Sequence, residues 1–174
     1  MLVRLLAVPA AIFMLSGTAF AQPAAKLTDP QIAHIAYTAG QIDITAAKQA
    51  LTKSKNPAVI EFAKSMERDH AAVNQQALDL VKKLNVTPED NDTSRALSTQ
   101  AADQQTELAK LNGANYDKAY VANEVAFHKS VNEALEKQLI PSAANAELKS
   151  LLKTGLTLFQ GHQLHAEHIA ASLK

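Results

Sequence analysis

Apolar residues recur every three to four positions along most of this chain, and no segment alternates with period two, so the pattern predicts packed helices without strands. The clearest stretch is Asn56 to Leu84. Asn56 is placed to cap a helix whose first position is Pro57, and no breaker follows. At about 100° per residue, Phe62, Met66, Val73, Ala77, Leu80 and Leu84 share one face. His70 falls within that face and Asp69 on its flank.

The remaining chain reads the same way. A helix is predicted from a cap at Asp29, with Pro30 first, to about Ser54. Ile32, Ile35, Ala36, Ala39, Ala46 and Ala50 form its apolar face, Asp43 interrupts that face, and His34 points away. After a polar loop over 85–91 comes a shorter helix, Thr93 to Leu111, carrying Leu97, Ala101, Leu108 and Leu111 on one side and ended by Asn112-Gly113. Asn115 is the predicted cap of the next helix, which should stop near Leu139 ahead of Pro141. Its seam is Val121, Val125, Asn132, Leu135 and Leu139, with Glu124 and His128 near the centre. Tyr116, Asp117 and Tyr120 at its start read as packing plus a favourable N-terminal charge. The last helix starts at Ser142 or Asn145 and runs almost to Lys174, with Leu148, Leu152, Gly155, Phe159, Ala166, Ile169 and Leu173 on one face and His162 among them. His165 lies at the edge of that face and His168 opposite.

Four long helices of similar length, about 40 Å at 1.5 Å per residue, make a four-helix bundle with an additional short connecting helix. Taken as 30–54, 57–84, 114–139 and 143–172, they have midpoints near residues 42, 70, 126 and 158. Midpoints of antiparallel helices of equal length share one level. Asp43, Asp69 with His70, Glu124 with His128, and His162 should therefore meet in one central layer. Buried without partners, such groups would cost several kcal/mol, so they must satisfy one another, hold a metal or keep water. Asp69 and Glu124 could equally orient the imidazoles from outside a metal's ligand set. Glu67 and His70 have the Glu-x-x-His spacing of bundle di-metal sites, but Glu67 lies about 100° from its helix's apolar face and no second such pair exists. A mononuclear or looser site fits better than a di-iron carboxylate centre.

Composition narrows the chemistry further. The chain has no cysteine, so any metal ligands must be His, carboxylate or backbone oxygen. Its 17 Lys and Arg balance 17 Asp and Glu, which removes the clustered positive charge that nucleic acid or an anionic membrane selects. Met1 to Ala21 has a basic residue at Arg4, an apolar stretch from Leu5 to Leu15 and a small-x-small ending at Ala19-Phe20-Ala21. It is expected to be a signal peptide cut after Ala21, leaving 22–174 as a single periplasmic or secreted domain without a transmembrane segment.

Several of these residues also form a recognisable set. Asn56-Pro57-x-Val59, Phe62-Ala63-x-x-Met66-x-x-Asp69-His70 with Asn74, Tyr116-Asp117-x-x-Tyr120 with His128, and His162-x-x-x-Ala166 resemble the bacterial secreted family catalogued as domain of unknown function 4142. That family is often labelled a putative outer-membrane protein and is grouped with ferritin-like bundles. The resemblance implies an all-α, ferritin-like fold and points to Asp69, His70, His128 and His162, with Asp43 at the position of a first-helix acid. The chain departs from the family at Thr157-Leu158-Phe159, where Leu-Pro is usual, and at Gln163, where Leu is usual. Whether His162 or His165 completes the layer stays open at this point. No strand set that could build a barrel supports the outer-membrane label.

The expected function is a periplasmic ferritin-like bundle whose central His/carboxylate layer binds one divalent transition metal, Zn, Cu, Mn or Fe. The alternative is a structural or stress-related interaction bundle whose polar layer only fixes helix register. An enzyme of the di-iron oxidase kind is disfavoured because carboxylates are too few.

Overall fold

The computed structural model describes residues 26–173, all helix and connecting loop, with no strand among the described residues. The signal peptide expected over 1–21 lies outside them. The elements are α1 (Asp29–Lys53), α2 (Pro57–Lys83), α3 (Asp92–Ala109), α4 (Gly113–Ala134), a π-helical turn (Leu135–Leu139), the single turn α5 (Ile140–Ser142) and α6 (Ala146–Ser172). The predicted all-α bundle with a connecting helix is what is found.

Its helix ends follow local chemistry with three exceptions. Asn56 and Asn145 accept from the first free backbone N–H groups of α2 and α6, as good caps should. Thr28, however, caps α1 in place of Asp29, exchanging bonds with Gln31 in a capping box. Asp29 is taken by a distant partner: its two carboxylate oxygens accept from the backbone N–H groups of Ala144 and Asn145, each at 2.8 Å. The second exception is the start of α4, where Asn112 replaces Asn115 in the cap position without a side-chain bond. Gly113 beside it has φ of 55°, the left-handed conformation expected where α3 gives way to the next helix.

The third exception is Pro141, which does not end its helix. A proline ring clashes with the carbonyl four residues back and offers no N–H. The chain widens there into the π-helical turn, Ile140 N–H reaches back to Leu135 C=O, and helix continues through Pro141 to Ser142. Asp117, near the start of α4, is buried, and its Oδ1 has no hydrogen-bond partner among the described residues.

α1 packs on α2, α2 on α6, α6 on α4 and α4 on α1, closing the bundle. α3 runs outside, against α1, with Gln49 Nε2 donating to Gln105 C=O at 3.1 Å. It returns the chain from the end of α2 to the level where α2 began, so α4 runs in the same direction as α2.

Two apolar cores result. One gathers Phe62, Met66, Tyr116, Tyr120, Val121, Ala166 and Ile169; the other Ile32, Ile35, Leu135, Leu139, Leu148 and Leu152. Along all four long helices the buried polar residues fall between or beside these cores: Asp43 on α1, His70 and Asn74 on α2, Glu124, His128 and Asn132 on α4, His162 on α6.

Candidate metal centre

The polar layer puts three imidazoles face to face. Ring centroids of His70 and His162 are 5.2 Å apart, His70 and His128 5.6 Å, and His128 and His162 5.7 Å. One ring nitrogen from each of the three lies within 4.8 Å of the others. Phe159 on α6 stacks flat on His70 at 4.6 Å.

Each ring has one nitrogen directed at an acceptor. His128 Nδ1 donates to the Glu124 carbonyl at 3.0 Å, one turn earlier on the same helix, with Glu124 Oε2 at 3.6 Å. His162 Nε2 donates to Asp69 Oδ2 at 3.1 Å, and Arg68 grips both oxygens of that carboxylate. His70 Nδ1 lies 3.4 Å from Asp43 Oδ2, longer than a good hydrogen bond. A neutral imidazole carries its proton on one nitrogen and a lone pair on the other, so the Glu124 carbonyl and Asp69 assign the tautomers of His128 and His162, and for His70 the nearest acceptor, Asp43, favours the proton on Nδ1. The lone pairs are then on His70 Nε2, His128 Nε2 and His162 Nδ1. All three nitrogens are buried with no hydrogen-bond partner among the described residues.

The rings are held neutral. Burial pushes the His70 pKa down to about 2, helped by the charges its neighbours His128 and His162 would carry. Burial likewise lowers His128, to about 4. His162 is lowered by burial against an opposing hydrogen bond from Asp69. Asp69 is held below the usual carboxylate range, chiefly by its bonds to Arg68.

Beside this trio lies a carboxylate pair. Asp43 and Glu124 each place an oxygen within 4.8 Å of the other and of His128. Burial raises both pKa values, because two carboxylates cannot both stay charged in so dry a place unless a cation or proton joins them.

All six residues named from the sequence thus occupy one region, and His162, not His165, faces the trio. His165 is exposed, its ring edge-on to Phe62 at 5.3 Å. His34 is 4.0 Å from Asp90 on the loop before α3, and His168 is exposed. Glu67 is 3.9 Å from Lys48, outside the cluster. Two members were not singled out by sequence as parts of the site. Phe159 was assigned only to packing, and so was Tyr120, whose hydroxyl is buried without a partner. The spacing of Tyr120, Glu124 and His128, one helical turn each, was the available signal.

No curated protein matches the chain in sequence. Among solved structures it is similar to CopM in the Cu(II)-bound form, with a TM-score of 0.65 at 13% identity, over 86% of this chain and 99% of that one. At that identity the likeness establishes a shared fold. The match that extends to sequence runs over residues 15–169, from ahead of α1 to the last turns of α6, and by it the chain belongs to the family described as domain of unknown function DUF4142.

Proposed function

We propose that this protein binds a divalent transition metal ion through the ring nitrogens of His70, His128 and His162. Asp69 and the Glu124 carbonyl act as the acceptors that set ring orientation. The observation that carries this reading is the convergence of three buried imidazoles, one ring nitrogen of each within 4.8 Å of the others, together with His70 Nε2, His128 Nε2 and His162 Nδ1 left without a hydrogen-bond partner. A cation satisfies all three at once, and neutral imidazole is the form that binds it. With nitrogen ligands and no thiolate in the chain, Cu²⁺ and Zn²⁺ should outrank Mn²⁺ and Fe²⁺. The fold shared with a protein solved in a Cu(II)-bound form supports the same class of ligand.

Binding, not catalysis, is the role proposed, at an exported location. No helix among the described residues is long and apolar enough to cross a membrane. Mass spectrometry of the exported protein should find Gln22 at its N-terminus, and an intact Met1 would refute the export reading.

The same layer also supports a structural reading. Asn132 Nδ2 donates to Gln163 Oε1 at 3.0 Å and Asn74 Nδ2 to the Tyr37 carbonyl at 3.3 Å, cross-helix bonds that fix register without an ion. Titration of untagged, chelator-stripped protein with each of the four metals separates the two. One equivalent of Cu²⁺ or Zn²⁺ bound with a rise in melting temperature is expected. No binding of any of the four would leave the register reading standing.

A further inference from the structure

The histidine trio does not account for the oxygen-rich half of the layer. Asp43 and Glu124 come from α1 and α4, each no more than 2% exposed, and among the described residues no Lys or Arg forms an ion pair with either. Asp43 Oδ1 and Glu124 Oε2 have no hydrogen-bond partner. Tyr120, one turn before Glu124 on α4, is also fully buried, and its hydroxyl has no partner among the described residues. His128 cannot serve both halves as a neutral ring, because its Nδ1–H is given to the Glu124 carbonyl and only Nε2 has a lone pair.

We propose that Asp43 and Glu124, with the Tyr120 hydroxyl one turn away on α4, form a second cation position adjacent to the histidine trio, so that the protein holds two metal ions in unlike halves. The inference rests on the trio being a metal site, since the second position is defined as its neighbour. The trio offers three nitrogens; the second position offers carboxylate and phenol oxygens and suits a harder divalent cation such as Mn²⁺. Two carboxylates bring two negative charges to a place that would otherwise have to hold a proton. A divalent ion cancels both and gives the orphaned oxygens a partner, which neither His70 nor His128 does in the neutral form. His70 Nδ1, 3.4 Å from Asp43 Oδ2, links the halves.

The test loads stripped protein with one equivalent of Zn²⁺, then with Mn²⁺, and counts both by elemental analysis after desalting, with electron paramagnetic resonance reporting bound Mn²⁺. The parent should retain one Zn and one Mn per chain. Glu124→Gln, close in shape, without the charge and with the backbone carbonyl behind His128 kept, should retain Zn and lose Mn. Circular dichroism checks the fold, and Tyr120→Phe, which keeps the ring, should weaken Mn²⁺ about tenfold or more. Zn without Mn in the parent, or Mn kept by Glu124→Gln, overturns the second position and leaves the trio intact. Mn kept without Zn overturns the trio and, with it, the two-ion arrangement. A parent that retains neither ion overturns both.

Discussion

Phe159 lies flat against His70, the two rings 4.6 Å apart and within 6° of parallel. The contact joins the histidine trio to the apolar half of the bundle, because Phe159 also lines a cavity of about 190 Å³ among Ala36, Ala39, Ala77 and Leu152. On this arrangement the phenyl ring sets the plane of the imidazole. Phe159→Leu keeps an apolar side chain but removes the stack, which is worth about 1 kcal/mol. A modest loss in chemical denaturation and a smaller metal-induced rise in melting temperature are expected. An unchanged metal response would mean that the stack does not orient His70.

Asp69 and His162 give a different signature. Their bond at 3.1 Å lies at the margin of the layer, with the Asp69 side chain 21% exposed. Asp69→Asn should cost little stability, because water can reach the position. Metal affinity should fall about tenfold to a hundredfold, as it does when an acceptor behind a ligand histidine is lost. Calorimetric titration against the parent measures it.

Gly40 on α1 leaves the space that the Asn74 side chain of α2 occupies. A Cβ there would stand 2.3 Å from Asn74 Oδ1, on the side chain that donates to the Tyr37 carbonyl. Gly40→Ala therefore displaces a buried amide from its cross-helix bond. A loss of about 1–3 kcal/mol in urea denaturation is expected.

The level of the polar layer is written in the amino-acid sequence, whereas the helix ends depend on contacts between distant parts of the chain. The central layer was legible because helix centres can be estimated even when helix ends slip by a few residues. Ends depend on more than local preference. Thr28 and Asp29 are adjacent and both good caps, and what decides between them is the demand of Ala144 and Asn145 for the Asp29 carboxylate, more than a hundred residues away. Pro141 was expected to stop a helix, and would have, had the preceding turn not opened to π geometry. Tyr120 was read as packing because a tyrosine on a seam normally is; that its hydroxyl is left without a partner depends on which neighbours surround it, and the pattern along one helix does not carry that.

The metal-free protein should show two opposed pH effects. The histidines have folded pKa values below their ordinary 6.5, so between about 6.5 and 4 for His128, and down to about 2 for His70, the unfolded chain binds protons that the folded chain refuses. Their contribution is full above 6.5 and is lost as pH falls. Asp43 and Glu124 have raised folded values, so their contribution is full below about 4 and is lost as pH rises through those values. Asp43→Asn with Glu124→Gln removes only the second effect. With chelator present, its stability should no longer decline between about pH 6.5, above which the histidines have stopped titrating, and about 8, while still declining on acidification. A parent and variant with parallel profiles would contradict the assignment of this loss to the pair.

His128→Leu separates metal binding from a purely structural layer. Leucine has similar bulk and packs with Val125, Val131 and Leu135 along the α4 seam, but it leaves the Glu124 carbonyl without its Nδ1–H donor. That loss costs about 1–3 kcal/mol whether or not an ion is ever bound, so a fall in stability alone decides nothing. The ion decides it. If the trio holds metal, the parent should melt higher with Cu²⁺ or Zn²⁺ than with chelator, since an ion bound only by the folded state stabilises it in proportion to the logarithm of its concentration over Kd. His128→Leu removes one of three nitrogens, so the two curves of the variant should nearly coincide. His165→Leu changes a histidine outside the trio and should keep the parent's response. If His128→Leu retains the full metal-induced shift, or if His165→Leu loses it, the ligands are not the ones named here. If the parent shows no shift with any of the four metals, the layer serves the packing of the helices and nothing more.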